Sequence, residues 1–260
     1  MFSCKDIEFP YKCTTDKYTK IMHEKIHNVT SFEANNNLQL KLNCLFQWFS
    51  EIAWEHAKML NVGFEDMDTT NLLWMLIGVK AKIKKLPKWQ EKVILQTAPT
   101  GISGLYFSRE FILKDKNYNV LVEADSKWLM LDKHTLKPIK SVENDYKNMK
   151  ISETKLDFQF VRLKEKTELT NTYNETAKYT DIDLHQHTNN AVYVRWIENI
   201  LENAICNKIN TISIQFLKEV KQDDNVIINF SNVINNKVFF EAIIESTGNH
   251  CFRSEIELTD

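Results

Sequence analysis

The chain of 260 residues carries a formal net charge of −2, with 43% apolar and 26% charged residues; that balance leaves no footprint for a polyanionic partner and is not the composition of a disordered chain. Its length admits one large domain or two of about 130 residues, and 5 Gly with 4 Pro leave little material for a flexible linker between them. Five cysteines, Cys4, Cys13, Cys44, Cys206 and Cys251, are odd in number and lack CxxC spacing, as expected of reduced thiols in a cytosolic protein.

The first residues, "MFSCKDIEFPYKCTTDKYTK", contain early acidic groups and no continuous apolar run, so neither a secretory signal nor a transit peptide is expected. No later window offers the ~18 uncharged apolar residues of a membrane span. The expectation is a cytoplasmic protein with no nucleic-acid partner and no membrane association. An extended segment, "YTKIMHEKIHNVTSFE", leads into residues 41–61, where Leu42, Leu45, Phe46, Phe49, Ile52, Ala53, Ala57 and Leu60 recur at helical spacing. Four strand candidates follow at 73–86, 92–100, 104–115 and 119–133, rich in β-branched and aromatic residues.

The same order returns in the second half. The segment "LDFQFVRLKE" reads as extended, and residues 189–205 carry Val192, Tyr193, Trp196, Ile197, Ile200, Leu201 and Ala204 on one helical face. Strand candidates then occupy 211–220, 225–234, 237–246 and 251–259. In the last of these Phe252, Ser254, Ile256 and Leu258 alternate with more polar positions, so one face should be wet. A broad apolar helix followed by four strands, written twice, predicts two halves that superpose, each sheet wrapping its own helix. One continuous α/β sheet, or two long helices packed on each other, would depart from that prediction.

Between these halves lies "TDIDLHQHTNN" (180–190). If it is extended, Asp181, Asp183, His185 and His187 share one face while Ile182 and Leu184 turn to the core. A metal site, a catalytic site and a wet loop all fit that face. His-x-His is a frequent ligand pair and Asp183 could be a third ligand, but the pattern has a high false-positive rate. Asp183 could equally be a turn residue bonding its own backbone.

The run "DIDLHQHTNNAVYVRWI" resembles the signature of the acyl-acyl-carrier-protein thioesterase family, an Asp-x-Asn-x-His run followed by an Asn pair, a Tyr and a Trp. "FSEIAWEHAKMLNVG", "LPKWQEKVILQTAPTG", "SREFIL" and "EADSKWLMLDKHTLKPIK" fall in the family's order as well. The resemblance implies an α+β, tandem hotdog fold, with an N-terminal domain over 1–148 holding the acyl pocket and partner surface and a catalytic C-terminal domain over 149–260. It implies hydrolysis of fatty acyl thioesters carried on acyl carrier protein, without cofactor or metal; a homodimer is a further expectation.

Carried over by position, the catalytic Asp falls on Asp183, the His on His187 and the Glu on Glu219. His185 occupies the family's Asn position, and a neutral imidazole donates and accepts only in one tautomer at a time. Val220 stands where plant members have Cys, which removes a thiol nucleophile there; Cys206 is expected to be packing. Asn189 and Asn190 open the second helix, where free backbone N–H groups suit a developing oxyanion, although an Asn there is also an ordinary N-cap. An acyl-CoA thioesterase and a non-catalytic acyl-thioester-binding protein are the alternatives. The basic stretch "KAKIKKLPK" (80–88) would attract an acidic carrier.

Overall fold

The computed structural model of the protein describes residues 21–139, 152, 156–165, 169–184, 186–201 and 203–259. Among the described residues ten strands pair antiparallel in one sheet. In the first half these are β1 (His23–Asn28), β2 (Leu72–Ile83), β3 (Lys92–Ser103), β4 (Tyr106–Asp115) and β5 (Val120–Asp132). The second half contributes β6 (Asn171–Thr176), β7 (Ile209–Phe216), β8 (Asn225–Phe230), β9 (Lys237–Ile244) and β10 (His250–Leu258). The spatial order β1-β3-β4-β5-β2-β7-β10-β9-β8-β6 is a mirror about its centre, where Gly78–Lys82 of β2 pair with Thr211–Gln215 of β7.

Helix α1 (Leu42–Met59) turns Leu45, Phe46, Phe49, Ile52 and Ala53 into the core, because those apolar positions recur three and four apart. Two of them, Leu45 and Ile52, are fully sealed, and each such burial is worth roughly 1.5–3 kcal/mol. A short helix, α2 (Phe64–Thr69), follows. In the second half α3 (Asn190–Ile200) buries Val192, Tyr193, Trp196 and Ile197. The 189–205 helix expected from the sequence is shorter: Leu201 turns to an extended ψ of 130°, and a separate α4 (Asn203–Cys206) follows.

Two expectations are corrected here. The halves share one sheet and one continuous core, and α1 packs directly on α3. The reason is visible at the helix ends, where α1 has no side-chain cap of its own. Its Leu42 and Asn43 N–H groups donate instead to the Glu198 carboxylate of α3, at 2.6 and 2.8 Å. The second correction concerns "LDFQFVRLKE". It forms no strand; the edge strand of that half is β6. Residues 156–165 instead run across the sheet and give their N–H groups to its side chains. Leu156 donates to Glu110, Phe160 to Asp125 at 2.7 Å and Leu163 to Gln215. Phe160 comes so close to β2 that a Cβ at Gly78 would lie 2.2 Å from its ring, so only Gly fits there.

Candidate active site

The "TDIDLHQHTNN" segment is not an extended strand. Tyr179–Asp181 form a 3₁₀ turn, Ile182 and Thr188 make an isolated bridge, and the chain between them closes on itself. Asp183 N–H donates to His187 O, Gln186 N–H donates to Asp183 O, and Gln186 takes a φ of +65° to complete the turn. The alternating face is therefore broken. Leu184, expected in the core, is 69% exposed, and Asp181 and Asp183 part company. Asp181 is buried and accepts from Arg195 at 2.7 Å and from the Lys178 N–H, whereas Asp183 faces a cavity. His185 lies outside the described residues, and with it any test of an Asp183, His185 and His187 ligand set.

His187 and Glu219 do meet: His187 Nε2 lies 3.0 Å from Glu219 Oε2, both side chains partly exposed. Glu219 belongs to the loop after β7, not to the strand itself as expected from the sequence. What holds that loop against the 183–187 turn is the residue after Glu219. Val220 is fully buried; its carbonyl accepts from both the N–H and the Oγ1 of Thr188, at 2.9 and 2.8 Å. Its N–H donates to the Tyr193 hydroxyl at 3.3 Å. Burial pushes the Tyr193 phenol well above its ordinary value, with Cys251, Glu219 and Asp183 contributing, so Tyr193 stays neutral. The sequence marks Tyr193 only as a core position of α3; its hydroxyl is what the pattern could not assign.

Asn189 and Asn190 separate in role. The Asn189 Oδ1 accepts from Ala191 N–H at 2.9 Å and is an N-cap; Asn190, the first helical residue, lines the cavity. Cys206 is half-buried on α4 with its Sγ toward Leu201 O, and burial pushes its thiol up to about 11, which disfavours the thiolate a nucleophile needs.

Asp183, His187, Asn190, Tyr193 and Glu219 stand on the wall of a cavity of about 460 Å³. Its other walls come largely from the first half: Trp54 of α1, Phe64 and Met67 of α2, and Leu72, Trp74 and Met75 of β2. Trp48 is in the core with its Nε1 on Glu33, and Met59 is exposed. A second, smaller chamber of about 50 Å³ lies beyond Trp54 and Trp74, which line both spaces. Among the described residues, Glu165, Glu241 and His250 come close enough to share an ion, but Arg253 already pairs with both glutamates.

In sequence, residues 20–149 match the family described as acyl-ACP thioesterase N-terminal domain and residues 164–259 match its C-terminal domain. The chain is 24% identical over 219 residues to oleoyl-acyl carrier protein thioesterase 1, chloroplastic, of Arabidopsis thaliana, covering 76% of this chain and 60% of that protein. It is 22% identical to the oleoyl-acyl carrier protein thioesterase of Coriandrum sativum, covering 87% and 67%. The chain thus spans about 60% of the first of these curated relatives. In fold it is similar to an acyl-ACP thioesterase from Bacteroides thetaiotaomicron, with a TM-score of 0.84 and 21% identity over 94% of this chain and all of that one. The 12:0-ACP thioesterase from Umbellularia californica follows at a TM-score of 0.80 and 16% identity over 92% and 97%. These neighbours establish the tandem hotdog architecture, and with both domain patterns matched across 20–149 and 164–259 the chain belongs to the acyl-ACP thioesterase family.

Proposed function

We propose that the protein hydrolyses fatty acyl thioesters carried on acyl carrier protein, releasing free fatty acid. The observation that carries this reading is the His187–Glu219 pair, 3.0 Å apart at the wall of an apolar cavity. With Glu219 accepting from Nε2–H, the imidazole is held in the tautomer whose Nδ1 is free to take a proton. A water deprotonated there attacks the thioester carbonyl carbon. The new C–O bond forms as the carbonyl becomes tetrahedral, and the C–S bond breaks as the proton passes to the departing thiolate. Asp183 shares the hydrogen bonds of that water. Asn190, at the start of α3 and on the cavity wall, supplies the donor for the oxyanion as it develops.

The division of labour follows the cavity. The first half, within 1–148, supplies the apolar walls for the chain, and the second, within 149–260, supplies the groups that act on the carbonyl. On this reading the enzyme acts in the cytoplasm, as a homodimer, on an acidic carrier and without a cofactor. Cys44, Cys206 and Cys251 are unpaired thiols, which supports a reducing compartment. Among the described residues no helix is long and apolar enough to cross a membrane. The test is free fatty acid released from a panel of acyl chains carried by acyl carrier protein or by coenzyme A. Release from the carrier-bound series at the higher kcat/KM is expected; a preference for the coenzyme A series would move the substrate class, and no release from either would remove the enzymatic reading.

A further inference from the structure

Arg109 of β4 lines the smaller chamber, whose other walls include Ala53, Trp54, Val62, Trp74, Phe107 and Trp128. An arginine among such walls needs a counter-charge, and among the described residues no carboxylate pairs with it. Its Nη1 lies 3.1 Å from His56 Nδ1 and 3.1 Å from Thr97 Oγ1. Neither partner is anionic. His56 is fully buried, and burial with Arg109 beside it pulls its pKa down to about 3, so the ring is neutral at ordinary pH. Glu110, the next residue on the strand, points to the opposite face, where it accepts from Leu156 N–H. Burial lowers the Arg109 guanidinium only to about 10, so it stays charged.

We infer that the small chamber is an end-group site for an oxygen acceptor, and that this protein selects acyl chains whose far end carries a carboxylate, keto or hydroxyl oxygen. The inference rests on the acyl-thioester reading above. On this inference a chain whose carbonyl lies at His187 runs through the larger cavity and reaches the smaller one beside Trp54 and Trp74, the residues common to both. The smaller chamber, about 50 Å³, has room for an end group of a few heavy atoms. A methyl end there would leave the remaining N–H groups of the half-buried guanidinium facing hydrocarbon, an arrangement that a partly desolvated charge disfavours. An oxygen acceptor removes that penalty, and a carboxylate also forms the charge-assisted, two-pronged pairing that the guanidinium fork favours.

The test separates binding from turnover. Acyl-pantetheine analogues with an amide in place of the thioester, matched in length and ending in methyl, hydroxyl or carboxylate, are titrated against the whole protein by tryptophan fluorescence. The parent should bind the oxygen-ended analogues about tenfold or more tighter than the methyl-ended one, the scale of one hydrogen bond to a charged group. Arg109→Met should lose that preference or reverse it, and Arg109→Lys should keep part of it. Equal binding of methyl- and carboxylate-ended analogues by the parent overturns the inference, as does a preference that survives in Arg109→Met. Should the Met variant not fold, the parent comparison and the Lys variant decide. Selective binding without hydrolysis of any acyl thioester removes the proposed activity and leaves this site standing; hydrolysis without selectivity does the reverse.

Discussion

Asp181 and Asp183 stand two residues apart, yet the fold uses them differently, and the difference can be measured. Asp181 is closed under Arg195 with its second oxygen on the Lys178 N–H, so Asp181→Ala should cost about 0.5–1.5 kcal/mol, the net worth of a hydrogen bond to a part-exposed donor. Asp183 and His187 line the cavity; Asp183→Ala and His187→Ala should lower kcat by about 10²–10⁴-fold, the scale of a positioned acid–base group, with the melting temperature nearly unchanged. Glu219→Gln keeps an acceptor for His187 but removes its charge, and should also lose most turnover without unfolding. A thermal melt beside each rate separates the two aspartates. Replacing His185 by Asn, the family's residue, should retain or raise activity, and a chelator should leave the parent unaffected; a chelator-sensitive parent with an inactive Asn variant would instead support a metal. The sequence motif names Asp183 and His187, but the one-face geometry inferred from alternation fails, because Gln186 enters the left-handed region and folds 183–187 into a turn. Nothing in residue spacing discloses that turn. Arg109 is similarly invisible: in "SREFIL" it reads as an ordinary charged strand residue until β3, β4 and α1 place it against Thr97 and His56.

At the scale of elements, both long helices and the eight strand candidates of the two repeated units are legible as hydrophobic period, since 3.6- and 2-residue repeats survive in sequences whose faces are buried. The junction between the halves is not legible, because it rests on pairing between β2 and β7 and on a side chain that reaches a distant backbone. Glu198 on α3 caps the N-terminus of α1. Glu198→Ala should destabilise by about 1–3 kcal/mol, leaving two buried N–H groups without an acceptor, whereas Glu198→Gln should retain most of the stability. Burial raises the Glu198 pKa above its ordinary 4.5, against smaller opposing contributions from the Asn43 and Leu42 N–H groups and Lys41. The folded state therefore holds this proton more tightly than the unfolded chain does. Its contribution to stability is greatest below about 4.5 and declines as pH rises through the raised folded pKa. Denaturant midpoints measured across that window should fall less steeply in Glu198→Gln than in the parent; identical slopes would remove Glu198 from the pH dependence.

On the scale of the whole molecule, one sheet and one core join the halves, so unfolding should show a single denaturant transition by far-ultraviolet circular dichroism and by tryptophan fluorescence alike. Two separated transitions would mean that the shared sheet couples them weakly. A carrier docking beside the cavity and one docking on the basic stretch 80–88 make different predictions. Lys82 is paired with Asp157 and sits over the Phe158 ring, and Lys84 pairs with Glu123; Lys82 is also eight residues along β2 from Trp74, about 26 Å at the rise of an extended strand. Lys133 and Lys218 line the catalytic cavity itself. Lys218→Glu should lower kcat/KM for carrier-bound substrate and weaken its salt dependence, with little effect on a short synthetic thioester, while Lys85→Glu should change neither. The central claim, that His187 held by Glu219 activates water against a fatty acyl thioester, is tested most directly by single-turnover release of fatty acid from acyl carrier protein by the parent, His187→Ala and Glu219→Gln, at matched folded concentration. Rapid release by the parent and a loss of about 10²–10⁴-fold in each variant are expected; release by either variant at the parent rate would overturn the assignment of His187 and Glu219.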